Sequence, residues 1–218
     1  MKQFYNFKHL LFSLCLLAFG LGVQAQTTYD WDNAAPDGNF KQGAAGTRWN
    51  PGGLWDEPPY GIVQFNNNNQ TTMTNNVAGT WSQFKINFGS SATSARTIGG
   101  NTIELFDFSG TWPFIRNQSS ATHVINFPLK AGTGGTFNLE LIASNGNLNF
   151  GGTIDNQGKG IYVYGNNAAT DGTNRAIRLG GVLSGSGLLN VSQFGVVKLN
   201  ATHTYTGQTQ IDNGELWI

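Results

Sequence analysis

Between Gly180 and Ile218 the apolar residues come only in short groups: Val182-Leu183, Leu188-Leu189, Val196-Val197 with Leu199, Ile211, and Leu216-Trp217-Ile218. Glycine, asparagine or a small hydroxyl residue separates each group from the next. No window offers the i, i+3, i+4, i+7 spacing that would bury one face of a helix. The stretch therefore reads as short strands joined by tight corners, because Gly and Asn tolerate the positive φ that corners demand.

The wording of this stretch adds to its period. Gly181, Leu183, Gly185, Gly187, Leu189, Gly195, Val197, Leu199, Thr204, Tyr205, Thr206, Gly207, Thr209, Ile211, Gly214 and Leu216 fall in a fixed pattern of glycine, apolar residue and a Thr-Tyr-Thr-Gly core. In that pattern the segment resembles the autotransporter-associated β-strand repeat. His203 stands where the repeat usually has Asn, and Ser192 and Phe194 replace its usual Lys and Gly. The resemblance directly covers only residues 180–218. It implies an all-β, right-handed parallel β-helix in secreted or surface proteins of bacteria, and it implies no catalytic residues.

Residues 1–25 read as a leader. Lys2 and Lys8 give a basic start, and the apolar run Leu10 to Val23 follows. Val23-Gln24-Ala25 fits a small-x-small cleavage site, so Gln26 is the expected mature start and the product is exported. The run is shorter than the roughly 20 residues of a membrane span, which leaves an uncleaved anchor as the alternative; no span is expected once the leader is removed. Leu14 ahead of Cys15 argues against lipidation. Cys15 is the chain's one cysteine, so the mature protein has no disulfide, thiolate metal site or Cys nucleophile. Twelve basic and twelve acidic residues balance, and without a basic patch a nucleic-acid partner is not expected.

Residues 26–65 read as an amino-terminal cap. Trp31-Asp32, Gly38, Trp49-Asn50, Pro58-Pro59 and Val63-Gln64-Phe65 form an aromatic, Gly- and Pro-punctuated opening that resembles the start of many such repeat proteins. A parallel coil has an open end with unpaired backbone groups, and bulky side chains can cover it. The same aromatics have a second reading: Trp31, Trp49, Trp55 and Tyr60 are candidates for stacking on sugar rings, which two or more water-facing Trp rings would favour.

Residues 66–218 read as coils of a solenoid, with strand starts about every 18 to 24 residues. Trp81 to Phe88 alternates as one strand, which would send Phe84, Ile86 and Phe88 inward and Trp81, Gln83, Lys85 and Asn87 outward. Ile103, Leu105 and Phe108 are expected inside, as are Phe137, Leu139 and Leu141. Asn66 to Gln70 is expected as a corner or surface loop. The asparagines at 75, 76, 87, 101 and 126 raise the question of stacked amide ladders. Asn166 to Arg178 breaks the rhythm and reads as a loop, with Arg175 and Arg178 able to meet Asp171. The end at Leu216-Trp217-Ile218, in mid-strand, reads as a truncation of a longer polypeptide.

Chemistry-bearing motifs are sparse. His123 and His203 have no second ligand at metal spacing, and no GxSxG elbow, P-loop, HExxH or EF-hand loop is present. The carboxylates do not gather as a glycoside-cleaving pair or a Ca²⁺ site would need. The expected function is a non-catalytic β-helical stalk or passenger segment at the cell surface, adhesive toward surface glycans or host or cell-surface proteins, with no cofactor and no metal. In this reading Gly185, Gly187, Leu199, Thr204, Tyr205, Thr206, Gly207, Thr209, Gly214 and Leu216 are structural. The alternative is a carbohydrate-binding module built on the Trp-rich start, and behind it a polysaccharide-cleaving β-helix enzyme.

Overall fold

The computed structural model describes residues 27–31, 38–40, 49–50, 61–107, 110–132, 137–165 and 175–218. These residues contain strands, bends and turns and no helix. Strands of two to five residues wind as a parallel β-solenoid whose three faces are three sheets. Sheet A runs from Trp49–Asn50 and Thr28–Trp31 through Ile62–Phe65, Lys85–Phe88, Phe114–Asn117, Leu139–Ala143, Ile161–Gly165 and Leu189–Ser192 to Thr209–Asp212. Sheet B runs from Thr72–Asn75 through Thr97–Gly100, His123–Ile125, Leu148–Phe150, Ala176–Leu179 and Val196–Leu199 to Glu215–Trp217. Sheet C stacks Trp81–Gln83, Ile103–Leu105, Leu129–Ala131, Ile154–Asp155 and Leu183–Ser184.

One coil is thus three short strands and three corners. Its length varies: the circuit from Leu189 to its partner Thr209 is short, and that from Lys85 to its partner Phe114 is markedly longer. The recurrence of about 18 to 24 residues expected from the sequence mixes strands that belong to different sheets. The inward positions keep strict register despite this. In sheet A, Tyr29, Val63, Ile86, Ile115, Leu141, Val163, Val191 and Ile211 form one column. In sheet C, Trp81, Ile103, Leu129, Ile154 and Leu183 form another. Burial alternates as the two-residue period requires; Leu139, Leu141 and Ala143 are buried while Glu140 and Ile142 are half-buried.

Two expectations fail at corners. Trp81 and Gln83 point inward, because the chain bends at Phe84 as it leaves sheet C for sheet A and the alternation restarts there. Phe84 is buried as expected, beneath the Lys85 ammonium, 4.1 Å from its ring centre. Phe137 precedes its strand and is half-buried against Trp112 rather than in the axis. Phe108 lies outside the described residues. Arg178, expected in a loop, sits in strand Ala176–Leu179 and donates to Asn149 Oδ1. Asp171 and residues 166–174 lie outside the described residues.

At the amino-terminal end an aromatic cluster lies beneath the first strands of sheets A and B. Trp49–Asn50 pairs antiparallel with Thr28–Trp31, so the parallel ladder of sheet A stops there. On sheet B, Thr74 accepts from the Phe40 amide and donates to the Gly38 carbonyl. Trp31, Phe40 and Phe65 pack within 5.8 to 6.3 Å beneath these edges.

The asparagines do not stack on one another in the core; they fasten corners. Asn75, Asn117 and Asn156 each accept from the amide two residues on and donate to a backbone carbonyl of the next coil, namely Asn101, Asn147 and Gly187. Asn156 also accepts from the Gly187 amide. Asn156→Ala leaves these Gly158 and Gly187 groups unpaired in a buried corner. We expect about 2–3 kcal/mol lost in urea unfolding, against less than about 0.5 kcal/mol for a surface substitution such as Gln208→Ala.

Candidate functional site

The repeat-like residues divide into contacts between coils. A Cβ on Gly187 would fall 1.8 Å from the Lys159 carbonyl oxygen, and one on Gly207 would fall 2.0 Å from that of Gly187. Glycine is required there because the preceding coil's backbone occupies the side-chain position. Gly185 has φ of +102°, a conformation glycine adopts without strain. The Thr204-Tyr205-Thr206 amides bond to Leu183 and Gly185 carbonyls, extending the edge of sheet C without forming a further strand. The Tyr205 hydroxyl meets Thr209 Oγ1 at 2.5 Å. His203 Nδ1 accepts from the Leu183 amide at 3.0 Å, a role an asparagine oxygen could equally fill. Thr209 opens the last strand of sheet A; Leu199 and Leu216 continue the inner columns of sheet B and are partly buried. Gly214 abuts Val191 and the Gly195 carbonyl.

Of the aromatic stacking candidates, only the Trp31 side chain falls within the described residues. Trp31 is 2% exposed and packs against Phe40 and Phe65, so its ring faces the core and not water. That corrects its assignment as a sugar platform: the inward parity of Thr28–Trp31 sends it into the axis. Trp49 belongs to the strand paired antiparallel with Thr28–Trp31. Trp55 and Tyr60 lie outside the described residues.

A different group of side chains lines a cleft of about 430 Å³ on the outer face of sheet A. Lys85, Phe114, Glu140 and Tyr162 occupy one outward column on four successive coils, and Arg116 and Tyr164 stand in the next. The segment between sheets C and A brings Gly110, Thr111 and Trp112 over this face. Trp112 meets Tyr162 edge-on, ring centres 5.0 Å apart. Lys85 Nζ sits 4.9 Å from the Phe114 ring centre, and the Arg116 guanidinium 4.8 Å from it. Arg116 is held by Asn87 Oδ1, and Asn87 by Gln64 Oε1, a polar ladder running up the same face.

The walls perturb the ionisable groups. Burial pushes the Glu140 carboxyl above its ordinary range, against the opposing pull of Lys85. Burial lowers Lys85, with Glu140 resisting and Arg116 reinforcing. Burial raises Tyr164, helped by Glu140 and Tyr162. Sequence reading missed this set because its members lie a full coil apart along the chain and meet only across the ladder. The one local signal was Ile161-Tyr162-Val163-Tyr164, whose alternation turns two aromatic rings outward.

A second polar group is enclosed. Arg96 is 1% exposed and His123 is fully buried, side by side at the head of an inner column of sheet B. The Arg96 amide donates to His123 Nδ1, so the proton of the neutral ring is on Nε2, which meets Ser119 Oγ at 2.8 Å. Ser119 Oγ in turn donates to Asn117 Oδ1. The Arg96 guanidinium donates to Asn67 and Asn69 and lies over Phe65. Burial lowers its pKa to about 10. Arg96, Ser119 and His123 are all enclosed in the structure.

Among the described residues no three His, Cys, Asp or Glu side chains are placed to hold a metal ion, and no helix is long and apolar enough to cross a membrane. The architecture is that of a parallel β-solenoid. No family model, curated protein or solved structure matches the chain.

Proposed function

We propose that the protein is a non-catalytic, exported structural segment that acts as a stalk or passenger at a bacterial surface. The observation that supports this most is the uninterrupted inner column from Tyr29 to Ile211, which joins successive coils into one continuous stack. Such a solenoid holds whatever it carries at a fixed distance, because each coil adds one strand spacing of roughly 4.8 Å. The Thr-Tyr-Thr-Gly wording of residues 204–207 and the leader-like start support the export and the repeat family. The adhesive role rests on the surface that the coil displays.

The test is made on the organism that produces the protein. Antibodies against the solenoid should label intact cells, and the recovered protein should begin at Gln26. Retention inside the cell with Met1 in place would refute the reading, and so would steady release of reducing ends from a polysaccharide by the purified protein.

A further inference from the structure

We propose that the cleft on the outer face of sheet A binds a neutral pyranose unit of a polysaccharide, with Trp112 and Phe114 against the sugar's C–H face and Lys85 and Glu140 bonded to its hydroxyls. Three observations carry this beyond the stalk reading. The first is where the aromatics sit. The same outward columns end in polar residues, Asn190 and Gln210 in one and Ser192 and Asp212 in the other. Only across the coils from Lys85 to Tyr164 do aromatic rings replace them, with Trp112 laid over the face from an adjoining corner. Several part-exposed rings gathered around one cleft mark a binding surface.

The second observation is the charge. Lys85 and Glu140 both line the cleft, and each favours the charged form of the other. An anionic ligand would want donors alone, and a cationic one acceptors alone. A sugar hydroxyl both donates and accepts, so it satisfies an ammonium and a carboxylate together. The third is availability. Among the described residues no hydrogen bond to the protein engages the Glu140 carboxylate, the Lys85 ammonium, the Trp112 indole N–H or the Tyr164 hydroxyl. Lys85, Trp112, Glu140 and Tyr164 line the open cleft, so their donors and acceptors are free to bond to a ligand that enters it.

The full chain is titrated with cellohexaose, mannohexaose and xylohexaose, and with hexagalacturonate as the anionic comparison, by calorimetry and tryptophan fluorescence. At least one neutral oligomer should bind with a Kd between about 10 μM and 1 mM. Trp112→Ala and the isosteric Glu140→Gln should each weaken it about tenfold or more, and Tyr164→Phe, which keeps the ring, by less. Trp217→Ala, at the far end of the coil, should bind as the parent does. Circular dichroism identifies any variant that fails to fold, and Glu140→Gln, which keeps size and shape, then decides. The proposal falls if no neutral oligomer binds at millimolar concentration. It falls equally if hexagalacturonate binds as tightly, or if folded Trp112→Ala and Glu140→Gln proteins bind like the parent.

Discussion

Phe88→Ala should lower the free energy of unfolding by about 3–5 kcal/mol, the range for emptying an aromatic site in a core. Phe88 is fully buried, with the Phe65 ring stacked 5.2 Å away on one side and the His123 ring 4.0 Å away on the other. The cost falls in the upper part of the range if the neighbours cannot close in. In this fold the distance between coils is set by the backbone ladders, here Phe65 opposite Phe88 and Phe88 opposite Asn117. Relaxation into the cavity would have to break those ladders. Phe194→Ala is the matched control: its ring is 50% exposed, and the loss should stay within about 0.5 kcal/mol. A Phe88→Ala loss below about 1 kcal/mol in denaturant unfolding would contradict this account of the axis.

Acid should weaken the protein through His123. Burial, reinforced by the Arg96 charge, lowers its pKa to about 3, whereas an unfolded-chain histidine titrates near 6.5. The unfolded state therefore takes up a proton below about pH 6.5 that the folded state refuses until about pH 3. Stability from this group is complete above pH 6.5 and is lost as the pH falls toward 3, on the order of 3–5 kcal/mol in all. The geometry explains the refusal: a proton on Nδ1 would face the Arg96 amide, a donor already pointing at it. Glu140 has the opposite sign, since its raised pKa makes the folded state gain relative stability as the carboxyl protonates. The measurement that isolates His123 is the difference in stability between the parent and His123→Gln from pH 7 to 4. The parent should lose more over that interval, and parallel curves would overturn the assignment.

The solenoid was legible because its two determinants are local. Inward alternation, as in Leu139, Leu141 and Ala143, and corner-forming Gly and Asn, as in Asn156 and Gly185, are written into a few adjacent residues. The parity of Trp81 and Gln83 was not legible, since one unmarked bend at Phe84 restarts the count. Nor were Arg96 and His123 legible as core residues: each looks like a surface side chain until the preceding coil supplies Asn67 to Arg96 and the adjoining corner supplies Ser119 to His123. The aromatic reading landed on Trp31, where a ring fills the axis, and missed Trp112, Tyr162 and Glu140. Opening-segment tryptophans and mid-chain ones are the same residue type, and only the stacking of coils separates those turned inward from those turned outward.

The unequal coils have a consequence of their own. The circuit that starts at Lys85 uses more chain than the one that starts at Leu189. That surplus is spent outside the axis, at corners, while the inner columns stay in step. Such a chain can lengthen one bend without re-solving its interior, and the excursion that carries Trp112 over sheet A is one such addition. New surface chemistry can therefore be acquired bend by bend on a spine that does not have to change.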